Sequence, residues 1–276
     1  MRFSWRVIGC AVAAVSLLAN GAVHAESWPS RVNAAYKISL AGIELGDFRF
    51  ESSVTGSSYA LAATAELSWG FGAFTWRGVT SSSGTLATAQ PKPAVFSFDY
   101  QSNRKSGSVK VGFDDSGVSS VVAVPKSTPS PETVPVREHH LKSVLDPMTA
   151  ILALSRGTTS NPCGRRIAVF DGKQRFDLAL SFRRFATVSE ARPSGQPHIA
   201  FVCRVQYIPV AGYRNNSETQ AMASNTGIEV TLRPVPSANL LVPYQITIPT
   251  IVGPAVLSSR RVEIVAPDNR QIALIH

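Results

Sequence analysis

The side chains that could do chemistry in this chain are few, and the most suggestive motif is incomplete. Ser102-Asn103-Arg104-Lys105 matches the Ser-x-x-Lys motif of penicillin-recognising enzymes, and Ser237-Ala238-Asn239 resembles the second motif of that class. The third motif, Lys-Thr-Gly, is absent from the sequence. The serine nucleophile of such enzymes stands at the start of a helix, whereas Ser102 lies where one predicted strand turns into the next. Chance explains this match better than catalysis.

Two further polar pairs have simpler structural explanations. His139 and His140 are adjacent in a proline-rich stretch, where an extended backbone would point the two rings to opposite sides. Asp171 and Asp177 flank Gly172 and could form an acid pair, but Asp171-Gly172 is also typical of a hairpin turn. Gly-x-Ser-x-Gly, His-Glu-x-x-His and phosphate-binding glycine loops are all absent. The sequence therefore predicts no catalytic residue, no metal ligand and no cofactor, and we expect a protein that is not an enzyme.

The chain opens with the pattern of a secretory signal peptide. Arg2 and Arg6 precede an apolar run at residues 7–21, and Val23-His24-Ala25 carries small residues at the two positions that a signal peptidase reads. We expect cleavage after Ala25, which makes residues 1–25 the signal peptide and predicts a periplasmic protein. A retained membrane anchor is disfavoured, because about 15 apolar residues fall short of the ~20 that span a bilayer.

Three cysteines occur in the chain, and only two of them follow the predicted cleavage site. Lipid attachment at Cys10 is an alternative, but it is disfavoured because the apolar region follows this cysteine instead of preceding it. Cys163 and Cys203 remain in the mature chain, and two thiols in an oxidising compartment are expected to form a disulfide. A metal site lacks histidine ligands at a useful spacing, and a redox-active pair lacks the Cys-x-x-Cys spacing.

Alternation of apolar and polar residues dominates the mature sequence and predicts an all-β fold. The clearest stretches lie at residues 32–40, 48–51, 59–67, 96–101, 176–182, 199–207, 228–232 and 242–248. We expect about twelve to fourteen strands with one apolar face throughout, which is too many for a flat sheet. The predicted fold is a single domain at residues 26–276, built on a large curved antiparallel sheet that forms an open barrel or spiral.

One segment predicts a helix on the concave face of this sheet. Asp146 can cap the helix, Pro147 suits its first position, and apolar residues follow up to Gly157. Four prolines in a polar stretch predict an exposed connection at about residues 125–140, between the two β-rich halves.

The aromatic cluster Trp69, Phe71, Phe74 and Trp76 is interrupted by glycines, which indicates a bulge or an opening in the sheet. Burial in the core is one interpretation. The other is an apolar rim at the mouth of a groove, which makes these four residues the candidate ligand rim.

The net charge of +9 falls to +7 when Arg2 and Arg6 leave with the signal peptide. A positive surface could attract anionic lipid or an acidic polymer. No nucleic-acid partner is predicted, because no basic run is interleaved with stacking aromatic residues.

Four stretches resemble a family of bacterial periplasmic proteins, the domain of unknown function 3108. They are YKISLAGIELG (residues 36–46), DPMTA (146–150), VFDGKQRFDL (169–178) and CRVQYIPVAGY (203–213). The resemblance implies a fold similar to the lipoprotein carriers of the outer-membrane pathway and to a spiral envelope-integrity protein. It implies a binding or structural role in the cell envelope and transfers no catalytic residue.

Two functions fit these observations. One helix of about ten residues is about 15 Å long and cannot cover the whole apolar face of such a sheet. We therefore expect a lipid or another amphiphile to bind on the concave apolar face. The alternative is a scaffold for envelope integrity that binds a protein or the cell wall through its surface.

Overall fold

The predicted alternating segments form long strands, of which seven precede the first α-helix. They are β1 (Arg31–Leu40), β2 (Ile43–Thr55), β3 (Ser58–Trp69), β4 (Phe74–Leu86), β5 (Pro91–Ser102), β6 (Ser106–Asp114) and β7 (Gly117–Val124). The computed structural model describes residues 28–86, 90–126, 130–156 and 161–276. The predicted signal peptide and its cleavage site after Ala25 lie outside these residues, as does Cys10.

Seven more strands follow helix α1 (Pro147–Ser155), and a second helix, α2 (Ser217–Ser224), interrupts them. The strands are β8 (Arg165–Phe170), β9 (Arg175–Thr187), β10 (Ile199–Ala211), β11 (Glu229–Val235), β12 (Leu240–Thr250), β13 (Gly253–Val265) and β14 (Gln271–Ile275).

All fourteen strands belong to one antiparallel sheet that does not close. Its order is β7-β6-β5-β4-β3-β2-β1-β13-β12-β11-β10-β9-β8, and β14 pairs with β13 outside this path. Each half is therefore a chain of hairpins, and the pairing of β1 with β13 joins the two halves. The prediction of a large, open, all-β antiparallel sheet is confirmed.

The sheet curves around helix α1. This helix packs against β4, β5, β8 and β12, and nine strands lie between β5 and β8 in the sheet order. Because a helix is only about 10 Å wide, it can contact both strands only if the sheet bends around it. The turn between β8 and β9 also reaches β6, where a Cβ on Gly172 would lie 2.2 Å from Val109 Cγ1. The concave face therefore encloses the helix.

Helix α1 begins as predicted, whereas helix α2 was not predicted. Asp146 Oδ1 accepts hydrogen bonds from the backbone N–H groups of Met148 at 2.9 Å and Thr149 at 3.0 Å, and Pro147 occupies the first turn. The helix ends at Ser155, and Gly157 lies outside the described residues. The sequence of helix α2 carries no apolar stripe that would indicate a helix, and none of its residues is buried.

Strand β10 is buried on both faces, which differs from the single apolar face predicted for the sheet. Neighbouring residues of β10 point to opposite faces, yet Ala200, Val202, Cys203 and Val205 are all buried. Residues 188–198 cover the face opposite α1, where Ala191 N–H donates to the Ile275 carbonyl of β14 at 2.8 Å. This covering segment lies between two strands in sequence and has no alternation of its own.

A buried arginine holds the covering segment to the sheet. Arg233 of β11 is fully buried and pairs with Glu190 at 2.7 Å. Its guanidinium also donates to the Pro197 carbonyl at 3.2 Å, to Ser194 Oγ at 3.3 Å and to His276 Nε2 at 2.9 Å. Nδ1–H of a neutral His276 then donates to the hydroxyl of Ser259 at 3.0 Å. These contacts satisfy a charge that burial would otherwise make costly.

Two groups around Arg233 should make the protein less stable in acid. Burial raises the pKa of Glu190, but hydrogen bonds from Arg233 and Ser194 outweigh it and lower this pKa from 4.5 to about 2. Burial and the nearby Arg233 charge lower the pKa of His276 from 6.5 to about 4. Both pKa values fall on folding, so the stabilisation from these groups is complete above pH 6.5 and is lost as the pH falls.

We expect the urea midpoint of unfolding to fall between pH 6.5 and pH 4 as His276 becomes protonated. In a His276→Asn variant the side chain does not titrate, while its carbonyl oxygen can still accept from Arg233. The midpoint of this variant should change less over the same interval, and the comparison cancels all other titrating groups. Equal slopes for the two proteins would contradict the assignment.

Candidate functional site

An apolar cavity lies between helix α1 and strands β1, β2, β12 and β13. Its volume is about 80 Å³, and eighteen residues line it. Ile151 and Leu152 of α1 form one wall, and Phe50, Val242 and Leu257 belong to the sheet wall. Only four lining residues carry a polar side-chain atom, namely Trp28, Tyr36, Ser52 and Ser155. The cavity therefore excludes polar groups and favours hydrocarbon.

A positive charge lies beside this cavity. Arg156 follows the last residue of α1, and its guanidinium carbon is 4.5 Å from the ring centroid of the lining residue Trp28. Such stacking of a cation on an aromatic face holds the charge in place, and Arg156 as a whole is half-buried. An anionic group of a ligand could contact Arg156 while its apolar part enters the cavity.

An aromatic strip extends the concave apolar face beyond helix α1. It consists of Trp69, Phe74, Trp76, Phe98 and Tyr100. In the strand register Trp69 pairs with Phe74, and Trp76 shares a face with Ser82, which contacts α1 through Asp146. The Trp76 and Phe98 ring centroids are 6.4 Å apart, and those of Phe98 and Tyr100 are 5.9 Å apart. Trp76, Phe98 and Tyr100 therefore form a row of neighbouring rings, and Trp69 and Phe74 extend the same face as exposed residues.

A glycine makes room for this strip. The Trp76 indole lies across Gly78, so that a Cβ at Gly78 would come within 2.4 Å of the indole Cη2. Any larger residue would lift the ring off the sheet, and Gly78 therefore sets the position of Trp76.

The predicted ligand rim is exposed and does not line the cavity. Trp69, Phe71 and Phe74 are exposed, so the interpretation of these residues as buried core is wrong. Phe71 lies at the tip of the β3–β4 hairpin, whereas Trp76 lines a separate open groove of about 320 Å³. Their role as the rim of a ligand site stays a prediction.

The predicted disulfide between Cys163 and Cys203 is confirmed, with a Cα–Cα distance of 5.3 Å. Both cysteines are fully buried and pack with Leu180, Val230 and Leu232. The bond therefore joins the segment after α1 to the inner face of β10.

A buried hydroxyl cluster fixes the start of α1, and the sequence did not reveal it. Asp146 Oδ2 accepts from Ser82 Oγ at 2.9 Å and from Thr149 Oγ1 at 2.5 Å, and the Tyr59 hydroxyl lies 2.7 Å from Thr149 Oγ1. Burial raises the pKa of Asp146 and raises that of Tyr59 to about 12. Every polar atom named here has a partner within the cluster, so the arrangement positions the helix and offers no open reactive group.

The family comparison agrees with the resemblance found in the sequence. The family model described as Protein of unknown function (DUF3108) matches residues 35–257. The chain belongs to the DUF3108 family. No curated protein and no solved structure matches it significantly. The likeness of this DUF3108 protein to lipoprotein carriers and spiral envelope proteins therefore stays a prediction.

The residues suspected of chemistry have structural contacts in this DUF3108 protein. Ser102 Oγ contacts the Lys105 carbonyl at 3.0 Å within a turn. Asp171 Oδ1 accepts the backbone N–H groups of Lys173 and Gln174 at 2.8 and 2.6 Å, as expected for a hairpin turn. Asp177 instead pairs with two arginines of β8 and β9, at 2.6 Å from Arg166.

The two histidines depart from the extended arrangement predicted for them. His139 and His140 lie in a 3₁₀ helix (Glu138–Leu141), and their ring centroids are only 4.0 Å apart. His140 Nδ1 accepts the Arg137 N–H at 3.1 Å, which occupies one of its nitrogens. Across the described part of this DUF3108 protein, no cluster of three or more His, Cys, Asp and Glu residues could hold a metal ion. Nor does this part contain a helix that is long and apolar enough to cross a membrane.

Proposed function

We propose that this DUF3108 protein is a non-catalytic periplasmic protein that binds a lipid or another amphiphile on its concave apolar face. The observation that carries the proposal is the carbon-lined cavity between α1 and the sheet. Burying hydrocarbon there is favourable by about 0.8 kcal/mol per methylene. The predicted signal peptide and the disulfide support a location in the periplasm.

The size of the cavity defines how a ligand enters. Its 80 Å³ is well below the roughly 300–1,000 Å³ of typical ligand pockets. A single chain segment therefore enters first, and a larger ligand requires α1 to move outward. The aromatic strip offers a second apolar surface on the same face, along which the rest of the chain can lie. Arg156 next to Trp28 suits an anionic head group.

Filling the cavity should weaken binding of an amphiphile. Ala34 of β1 is buried and lines the cavity, and we expect Ala34→Leu to weaken binding of a fluorescent fatty acid about tenfold or more, by occupying the space of several methylenes. Ala35→Leu is the matched control, because Ala35 points to the opposite face of the same strand. The measurement is a fluorescence titration of each variant, with thermal melting to confirm folding.

Native mass spectrometry of the wild-type protein, taken gently from its own periplasm, complements this titration. A reproducible bound amphiphile that is absent from Ala34→Leu supports the proposal. A protein that is always empty and binds no fatty-acid or phospholipid probe contradicts it.

A scaffold function is the second candidate, and the free edge of β7 favours it. Val121, Val122 and Val124 are exposed on this strand, and in the described residues β7 pairs only with β6. The opposite edge is protected, because Leu145 N–H donates to the Ala168 carbonyl of β8 at 2.9 Å. An extended segment of a partner could add to β7 as a further strand. An empty cavity combined with capture of a specific envelope protein at β7 would favour this function.

A further inference from the structure

Three hairpins expose apolar side chains at one end of the sheet, which we call the apolar end. It comprises Ile43, Trp69, Phe71, Ile251 and Val252, all of which are exposed. Phe71 and Ile251 stand at the tips of the β3–β4 and β12–β13 hairpins and are fully exposed. Solvent-exposed residues of this kind, grouped at one end of a protein, indicate a contact surface.

Strand register brings these hairpins side by side. The Ala41 N–H donates to the Pro254 carbonyl at 2.9 Å, which joins the β1–β2 turn to the β12–β13 hairpin. Gly46 pairs with Leu67, so the start of β2 lies beside the end of β3. The tips therefore project in the same direction from neighbouring positions of the sheet.

Two cations flank the apolar end. Arg104 and Lys105 are exposed in the β5–β6 turn, and within the described residues neither forms an ion pair. Asn103 Nδ2 donates to the Ala73 carbonyl at 2.7 Å, which fixes this turn against the β3–β4 tip. Among the acidic residues near the tips, Glu44 pairs with Lys37 and Arg260 and Glu66 pairs with Arg77, whereas exposed Asp47 forms no ion pair within the described residues. The region next to the tips therefore carries unbalanced positive charge.

The backbone at Phe71 is costly for a bulky residue. Its φ angle is +54°, in the left-handed region that glycine and asparagine adopt most readily. Phe71 is fully exposed between Gly70 and Gly72, so its ring contributes no buried apolar area to folding. A contact outside the folded chain accounts for such a residue.

We propose that the apolar end inserts its hairpin tips into the surface of an anionic lipid bilayer. Separate apolar tips that project outward fit the interfacial region of a bilayer, and Arg104 and Lys105 would then contact the anionic head groups. A protein partner would instead bury a continuous flat or concave patch. This inference does not depend on binding in the cavity, because none of the apolar end lines it.

Vesicle binding tests this proposal. The protein, expressed from its full-length coding sequence and purified without detergent, is sedimented with phosphatidylglycerol vesicles and with phosphatidylcholine vesicles. We expect binding to the former that weakens with added salt, and a blue shift of tryptophan emission on binding. Phe71→Asn should weaken this partitioning about tenfold or more, because insertion of a phenylalanine contributes at least that factor. Asparagine suits the left-handed φ, so the variant should fold at least as well as the wild type.

Matched controls distinguish insertion of the apolar end from nonspecific adsorption through other exposed apolar or charged residues. Phe185→Ser removes another exposed phenylalanine, on β9 and outside the apolar end, and should leave vesicle binding unchanged. Arg104→Ser/Lys105→Ser should weaken binding about tenfold or more, whereas Lys110→Ser/Arg204→Ser, which removes two exposed cations from mid-strand positions, should have less effect.

Three results would overturn the proposal. They are equal binding to both kinds of vesicle, equal losses for the Phe71 and Phe185 variants, and no vesicle binding at all. In another outcome, the protein fails to bind vesicles and instead forms a concentration-dependent dimer that Phe71→Asn dissociates. That result would assign the apolar end to contact with a second copy of the chain. Loss of fatty-acid binding in Ala34→Leu with vesicle binding intact would leave the proposal standing.

Discussion

Replacing both Cys163 and Cys203 by alanine is expected to lower the melting temperature by about 10 °C. The disulfide joins positions 40 residues apart, and the chain entropy released when such a loop opens corresponds to about 4 kcal/mol. Alanine avoids placing a buried hydroxyl in the apolar cluster around β10. The measurement is thermal unfolding followed by circular dichroism, with the oxidised wild type as reference.

Reduction gives an independent control for this prediction. Wild-type protein with dithiothreitol should melt near the temperature of the double alanine variant, because both lack the same constraint. Cys203→Ser should also melt below the wild type. A double variant that melts within about 2 °C of the oxidised wild type, which corresponds to roughly 1 kcal/mol or less, would show that the bond contributes little to stability.

Removing Arg233 should be equally damaging, because it leaves Glu190 buried without its partner. We expect Arg233→Met to reduce the free energy of unfolding by about 3–5 kcal/mol. The methionine fills a similar volume, so the loss reflects the unpaired carboxylate and the unmet acceptors at Pro197 and Ser194. Urea unfolding at pH 7 measures the change.

The double variant Arg233→Met/Glu190→Gln distinguishes charge from packing. It removes both charges, and we expect it to recover part of the stability lost in Arg233→Met. Glu190→Gln alone should destabilise, since it leaves the arginine without a counter-ion. If the losses of the two single variants simply add in the double variant, the ion pair does not act as a coupled unit.

Features determined by local pattern could be predicted from the sequence. The strands alternate with period two, and the cap of α1 rests on Asp146-Pro147, which are adjacent to the helix they begin. The disulfide followed from the number of cysteines and the predicted compartment. Arg233 shows where this reasoning fails. Arg233 points to the face opposite Val230 and Leu232, so the alternation predicts that its side chain is in solvent. Residues 188–198 instead fold over this side chain and bury it.

The candidate site was predictable only in outline. An apolar surface larger than one helix can cover was expected, and the cavity and the aromatic strip both lie on the concave face. Their residues come from strands far apart in sequence, so the sequence gives no spacing that marks them. The sequence also failed to indicate the Asp146 cluster, because Ser82 and Tyr59 are 64 and 90 residues away from the residues at the start of α1 that they contact. Trp69 is exposed at the end of β3, and alternation does not encode which part of the sheet α1 covers.

The pairing of β1 with β13 makes the order of synthesis matter. Arg31 of the first strand lies opposite Val265, near the other end of the chain. Strands β1 to β7 can pair through successive hairpins as they emerge, but one side of β1 has no partner until β13 arrives. During this interval an unpaired edge is available to any other extended chain. A protein with this topology that crosses a membrane from its N-terminus therefore benefits from a holding chaperone until its last strands have been delivered.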